Sequence, residues 1–217
     1  MNLQLPPLKH LSKQIHSRLL GDLPGTQAHQ RMEPVTRKAF LNIRHAVPPR
    51  QSAVLILLFE ENGKIKTPFI KRNIYDGVHS GQIALPGGGF EKHDNNLINT
   101  ALRETEEEIG IAKDQIKVLG SLSKIYIPPS NFDVLPVVGY LENTPEIRID
   151  PTEVSEAFLV DLEHLLLPGC VGKSAVKLQN GTMVEIPCYQ VAEYTIWGAT
   201  AMILSEFIEI ISPNNPK

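Results

Sequence analysis

The hydrophobic positions of this chain fall into strand-length runs and helical repeats. The clearest run is Ala53–Phe59, a continuous apolar stretch between polar residues. Its length and composition predict a strand buried on both faces. Glu60–Gly63 follows and contains Asn-Gly, and a second strand-like stretch returns over Thr67–Lys71. Together these segments predict a β-hairpin.

The remaining pattern gives helices and strands in mixed order. Helical spacing of apolar residues predicts helices over Leu8–Leu20, Pro34–Leu41, Asn95–Ile109, Leu162–Leu167 and Ala199–Ile211. Strands are predicted over Gly81–Leu85, Ile116–Leu122, Asp133–Leu141, Glu156–Asp161 and Met183–Val191. Because the two types do not alternate strictly, the pattern favours an α/β (α+β) fold with a mixed sheet. Pro48-Pro49 separates an N-terminal helical segment, residues 1–47, from a main domain, residues 48–217.

Composition narrows the class of protein. The 217 residues carry a net charge of −3, which argues against a broad nucleic-acid surface. Two cysteines without metal spacing predict neither a disulfide framework nor a zinc site. With no apolar run of membrane-spanning length and no signal-peptide pattern, we expect a cytoplasmic protein without a membrane partner. Four N-terminal histidines also lack metal spacing and are expected at the surface or at helix ends: His10, His16, His29 and His45.

The predicted helix over Asn95–Ile109 is unusually acidic in its second half. It follows a proline and three glycines at 86–89, which predict a turn with a backbone open to a ligand. Glu107 and Glu108 lie three and four residues after Glu104, so the three side chains point from one helical face. Carboxylates in this arrangement suit a hard cation such as Mg²⁺ or Mn²⁺. A solvated acidic face is the alternative, but the glycine loop and the preceding Arg103 favour a metal site.

The same helix carries a known motif. Arg103–Ile111 resembles the second half of the Nudix box, G-x5-E-x7-R-E-U-x-E-E-x-G-U, where U is a bulky apolar residue. Thr105 stands where an apolar residue is usual, and Asp94 takes the place of the first Glu with one extra residue before Arg103. We also expect Asp94 to be the N-cap of the helix.

That variant, with the segment Lys71–Gly88 and the later Trp197–Ala201, resembles the coenzyme A diphosphatase branch of the Nudix family. Gly77 replaces an Arg that this branch usually carries, and Asp76 replaces an apolar residue. The resemblance implies a Nudix-type α/β/α sandwich with an N-terminal helical extension. It also implies Mg²⁺ or Mn²⁺ as cofactor.

The resemblance assigns roles to the acidic helix. Glu104 and Glu108 are the best-matched metal ligands, with Glu107 as a third. Arg103 would pair with a glutamate and fix its position. The general base would be Glu104 or Glu107, or a glutamate from a later loop, for which the chain offers Glu153 and Glu156.

Substrate contacts are implied by the residues before the box. Arg72 and His79 could meet a substrate phosphate or serve a structural role, and the backbone at Gly87 and Gly88 could approach the ligand. The Pro-rich stretch Tyr126–Phe132 is either a substrate wall or a tight connection.

The resemblance implies metal-dependent hydrolysis of a diphosphate linkage in a nucleoside diphosphate derivative. Coenzyme A or an acyl derivative, giving 3',5'-ADP and a phosphopantetheine product, is the leading substrate. ADP-ribose or a dinucleotide is the alternative within this class. A non-catalytic, nucleotide-binding regulatory domain is the alternative of another class. The expected partner is a small-molecule nucleotide, and a homodimer is one assembly that the sequence allows.

Overall fold

The computed structural model describes residues 5–37, 41, 45–74, 81–177 and 181–212. Its helices are α1 (Leu8–Leu19), α2 (Gly25–His29), α3 (Leu97–Ile109), α4 (Leu162–Leu165) and α5 (Gly198–Ile211). Its strands are β1 (Arg50–Glu61), β2 (Lys64–Arg72), β3 (Ile83–Ala84), β4 (Gly87–Gly89), β5 (Lys117–Ser121), β6 (Ile125–Ile127), β7 (Phe132–Tyr140), β8 (Val154–Asp161), β9 (Val171–Lys177), β10 (Met183–Val191) and β11 (Tyr194–Trp197).

Within the described residues, β1 to β8 form one mixed sheet, and β9 to β11 form a second, antiparallel one. The central strand is β1, which pairs with β7 in parallel and with both β2 and β4 in antiparallel. At the β1–β2 hairpin, Asn62 and Gly63 both have positive φ, as a tight Asn-Gly turn requires. The predicted hairpin and mixed sheet are therefore confirmed.

Strand β1 is buried on both faces because successive side chains enter different cores. Ala53, Leu55 and Leu57 pack on the side of α3, whereas Ile56 and Leu58 pack on the side of α1 and α5. The sheet thus lies between two helical layers, an α/β/α sandwich. This explains why the sequence shows a continuous apolar run there instead of an alternating one.

The N-terminal helices share a core with the last helix. Leu11, Ile15 and Met32 belong to the same buried cluster as Phe207 of α5. The Arg18 guanidinium donates to the Ile210 and Ser212 carbonyl oxygens and so binds the C-terminal end of α5. Helix α1 and the segment around Met32 are therefore packed against the sandwich.

His29 lies at a helix end, the last residue of α2, which is one of the two positions expected from the sequence, but it is not at the surface: it is 6% exposed inside this core. Its Nε2 donates to the fully buried Glu206, 2.8 Å away. The Gly25 N–H (3.0 Å) and the Ser123 hydroxyl (2.7 Å) donate to the same carboxylate. Burial acts to raise the pKa of Glu206, but these hydrogen bonds outweigh it, so the pKa lies below its usual value.

Other differences from the predicted elements have local reasons. Helix α2 (Gly25–His29) was not predicted, and the helix predicted over Pro34–Leu41 stays a prediction because part of it lies outside the described residues. Gly87–Gly89 form a strand instead of a turn because they pair with Ser52–Val54. The Tyr126–Phe132 stretch closes a short β6–β7 hairpin with Asn131 at positive φ, which makes it a tight connection. No helix in the part of the chain that the structure describes could cross a membrane.

Candidate active site

The acidic helix α3 has well-defined ends. The Asn96 side chain accepts a hydrogen bond from the Asn99 N–H (2.9 Å), so Asn96 is the N-cap and the expectation for Asp94 was wrong. At the other end, Gly110 adopts φ 73° and ends the helix, as predicted. The apolar face of α3 points inward, since Ala101 and Ile109 are fully buried under β1. Thr105 is buried as well, and its hydroxyl donates to the Ala101 carbonyl oxygen at 2.7 Å.

Asp94 instead anchors Arg103. It lies in a short 3-10 turn before α3, 3% exposed, and accepts from Arg103 Nε at 2.7 Å and Nη2 at 3.1 Å. The Thr100 hydroxyl (2.8 Å) and the Glu91 N–H (2.9 Å) donate to the same carboxylate. The Arg103 hydrogen bonds are the main reason why the pKa of Asp94 lies far below its usual range. This bidentate pair holds the guanidinium in one orientation.

The guanidinium of Arg103, held in this way, contacts two glutamates of the acidic face. Its Nη2 lies 2.9 Å from Glu104 Oε1 and donates to the Gly89 carbonyl oxygen at 3.0 Å. Its Nη1 donates to Glu107 Oε2 at 2.6 Å. Because Arg103 contacts the helix, the glycine strand and Asp94 together, it sets the distance between the glycine strand and the glutamates.

Three carboxylates converge beside this arrangement. Glu104, Glu108 and Glu153 each offer one oxygen, and these oxygens all lie within 4.8 Å of one another. The predicted ligands Glu104 and Glu108 are therefore brought together. Glu107 is not part of this group, because its side chain is 52% exposed and pairs with Arg103. A donor set of three carboxylate oxygens fits a hard divalent cation.

Glu108 is the most buried member of the cluster. Its side chain is 1% exposed, accepts from the Gly87 N–H at 2.8 Å and lies 3.6 Å from Arg72 Nη2. Burial outweighs both of these partners and raises the pKa of Glu108 to about 7. Burial also raises the pKa of Glu104. The charged forms of both carboxylates are therefore disfavoured in the protein alone, and a bound cation would stabilise them.

Two of the three glycines of β4, Gly87 and Gly88, are closely packed. A Cβ at Gly88 would overlap the Glu104 carboxylate, and one at Gly87, which has φ 151°, would overlap the backbone of Ala53 and Val54. Gly87 also gives its N–H to Glu108 and accepts a hydrogen bond at its carbonyl oxygen from Arg72 (2.7 Å). In the structure, both predicted substrate contacts thus lie against the carboxylate cluster.

Of the other two predicted substrate residues, only Arg72 lies within the described residues, and it is beside the carboxylate cluster. Arg72 lines an open cleft of about 570 Å³ together with Asn73, Ile74, Thr152 and Glu153. His79 lies outside the described residues, as do Asp76 and Gly77. Glu156, one of two later glutamates considered as a base, accepts a hydrogen bond from the Tyr194 hydroxyl and is not in the cluster.

The sequence identified Glu153 only as a candidate base, not as a metal ligand. Its position depends on a loop that docks on the end of α3. The Arg148 N–H donates to the Ile109 carbonyl oxygen (3.0 Å), and the Asp150 N–H donates to that of Glu108 (3.1 Å). These carbonyl groups are left free at any helix C-terminus, so no side-chain pattern announces which loop will bind them.

Comparison with known proteins identifies the class. Residues 49–178 match the model of the NUDIX domain, and the chain belongs to this family. It is a Nudix hydrolase, an enzyme that acts on nucleoside diphosphate derivatives, and enzymes of this family generally use divalent metals.

Two relatives extend the match beyond the family domain. The chain is 31% identical over 169 residues to human "Mitochondrial coenzyme A diphosphatase NUDT8", covering 76% of this chain and 71% of the relative. It is 35% identical over 177 residues to "Uncharacterized Nudix hydrolase NudL" of Pectobacterium atrosepticum, covering 79% and 88%. Among solved structures, a Nudix hydrolase from M. smegmatis, RenU, aligns with a TM-score of 0.48 at 18% identity, covering 59% of this chain and 83% of that one.

Proposed function

We propose that this enzyme hydrolyses the diphosphate linkage of coenzyme A or acyl-coenzyme A, releasing 3',5'-ADP and phosphopantetheine or its acyl derivative. The observation that carries the proposal is the convergence of Glu104, Glu108 and Glu153 within 4.8 Å beside the glycine strand. The substrate assignment is supported by the 31% identity to the human coenzyme A diphosphatase. The resemblance of the segment Lys71–Gly88 to the coenzyme A diphosphatase branch supports it as well.

The carboxylate cluster would hold Mg²⁺ or Mn²⁺. When bound, such a cation offsets the negative charge of the diphosphate oxygens and makes a water molecule more acidic. Glu104 and Glu108 face the cation site from α3, and Glu153 faces it from the 151–153 turn. Glu107, which is outside the group of three, remains available as a further ligand at the exposed edge of α3.

The chain's own residues set the geometry of the reaction. Asp94 fixes Arg103, and Arg103 fixes Glu104 and the Gly89 carbonyl group. The oxygen of a water molecule forms a bond to one phosphorus, and the bridging oxygen leaves with the other phosphoryl group. The proton from the water passes to a carboxylate of the cluster. Glu153 is exposed and can release it to the solvent.

The test is a cleavage assay with a substrate panel. We expect release of 3',5'-ADP from coenzyme A in the presence of Mn²⁺ or Mg²⁺, and no release after chelation of the metal. The panel includes acetyl-coenzyme A, ADP-ribose, a diadenosine polyphosphate and NADH. Faster cleavage of ADP-ribose or of a dinucleotide would replace the substrate assignment and keep the reaction. Tight nucleotide binding without any turnover would contradict the reaction and favour a regulatory domain.

A further inference from the structure

Arg72, the last residue of β2, contacts the Glu108 side of the carboxylate cluster, and Asn73, the residue after it, contacts the turn that carries Glu153. We infer that Arg72 and Asn73 are positioning residues, which hold Glu108 and Glu153 in register with each other. This inference rests on the proposed metal site. It assigns Arg72 to the geometry of the cation ligands, in place of the substrate contact that the sequence suggested.

Arg72 acts on the α3 side of the cluster. Its Nη2 donates to the Gly87 carbonyl oxygen at 2.7 Å and lies 3.6 Å from Glu108 Oε1. The Gly87 N–H donates to the other oxygen of the same carboxylate at 2.8 Å. Arg72 therefore fixes both the carboxylate and the peptide unit that supports it. The side chain is only 28% exposed, so most of its surface is already in contact with the protein.

Asn73 acts on the Glu153 side. Its side-chain amide donates to the Pro151 carbonyl oxygen at 3.0 Å, and its backbone N–H donates to the Glu153 carbonyl oxygen at 3.2 Å. These two bonds span the turn that carries Glu153. The turn has a second support, because the Thr152 N–H and hydroxyl both donate to Asp150 Oδ1, at 2.8 and 2.7 Å.

The turn that carries Glu153 is attached both to α3 and to the residue after β2, which fixes Glu153 relative to Glu104 and Glu108. The Asp150 N–H ties the turn to the C-terminal end of α3, and Asn73 ties it to β2. Arg72 directly precedes Asn73 and lies 3.6 Å from Glu108. Two consecutive backbone positions therefore set the distance between Glu108 and Glu153. Removing either contact should widen the cluster without removing any ligand or substrate group.

The experiment compares Asn73→Ala and Arg72→Lys with the parent protein. Asn143→Ala is the matched control, since Asn143 is exposed in the loop after β7. The first readout is Mn²⁺ binding without substrate, measured from the electron paramagnetic resonance signal of free Mn²⁺. The second is the separation of kcat from KM for coenzyme A. Thermal unfolding without metal checks that each variant is folded.

We expect Mn²⁺ binding to weaken and kcat to fall by about tenfold each in both variants, as for residues that orient metal ligands. KM should stay close to the parent value, and the control should match the parent in every readout. Unchanged Mn²⁺ affinity in the folded variants would overturn the inference, whether KM rises or not. A parent protein that fails to bind Mn²⁺ would instead contradict the proposed metal site, so the two failures are distinct.

Discussion

Two buried glutamates on two helices of this enzyme have opposite environments. Glu108 on α3 and Glu206 on α5 have side chains 1% and 0% exposed. Around Glu206, donors from His29, Ser123 and Gly25 lower the pKa of the carboxylate despite its burial. Around Glu108, one backbone N–H and a more distant Arg72 do not offset burial, and the pKa is raised to about 7.

The comparison separates a structural carboxylate from a functional one. Glu206 has its hydrogen bonds satisfied within the protein, so it binds the N-terminal segment to α5 and to Ser123. Glu108 shares its surroundings with Glu104 and Glu153, which add negative charge where burial already disfavours it. A divalent cation supplies the charge that this second site lacks. Both side chains are equally buried, so burial does not separate the two roles; the number of hydrogen-bond donors around each carboxylate does.

The largest effect is expected from Glu108→Gln. The substitution keeps the shape of the side chain and removes its charge, so kcat should fall by about 10²-fold or more. Steady-state cleavage of coenzyme A, at the Mn²⁺ concentration that saturates the parent, measures this loss. Near-parental turnover by a folded Glu108→Gln protein would show that Glu108 is not a functional carboxylate.

Glu206→Gln should have its main effect on stability. One side-chain oxygen becomes an N–H₂ group among buried donors, which should lower the free energy of unfolding by about 2 kcal/mol. Urea denaturation followed by circular dichroism measures this change. The folded fraction should keep the parental kcat, since Glu206 does not touch the carboxylate cluster. A large loss of kcat at full folding would show that the two regions are coupled.

A smaller effect should appear in the pH dependence of stability. The folded pKa of Glu206 lies below its value of 4.5 in the unfolded chain. Its stabilising contribution is therefore complete above about pH 4.5 and is lost as the pH falls through the lower folded value. Between pH 6 and pH 3, the free energy of unfolding should fall less steeply for Glu206→Gln than for the parent. Parallel curves for the two proteins would contradict the lowered pKa.

The smallest effect is expected at an exposed glutamate. Glu146 pairs with Arg148 at 2.8 Å, and both side chains are 74% exposed. Exposed ion pairs contribute little because solvent screens them. Glu146→Gln should leave both the unfolding midpoint and the cleavage rate unchanged, which makes it the charge-matched control for the two buried glutamates. A clear change in either value would mean that loss of charge alone, without burial, explains the other results.

The elements that the sequence predicted well are those whose residues specify their own conformation. The apolar run of β1, the Asn62-Gly63 turn and the Gly110 helix end fall where expected. Strand β9 was missed because residues 171–176 are largely exposed and the strand lacks a regular apolar alternation. Strand β4 was missed because three glycines favour no strand, and only pairing with β1 makes them one.

Part of the site was predictable because local spacing in the sequence is enough to place two of its residues. Glu104 and Glu108 share a helical face through their spacing alone, and the structure brings them together. Glu153 joins them through backbone hydrogen bonds at the end of α3, which any sequence could supply. The burial of His29 depends on Glu206, 177 residues away, and no local pattern reveals such a partner.

Mn²⁺ binding to Glu108→Gln and Glu206→Gln, measured side by side with the parent by electron paramagnetic resonance, tests the central claim most directly. The claim is that the carboxylate cluster around Glu108 holds the divalent cation. We predict that Glu206→Gln binds Mn²⁺ as the parent does, and that Glu108→Gln shows no saturable binding over the range in which the parent saturates. Equal binding by the two variants would contradict the account.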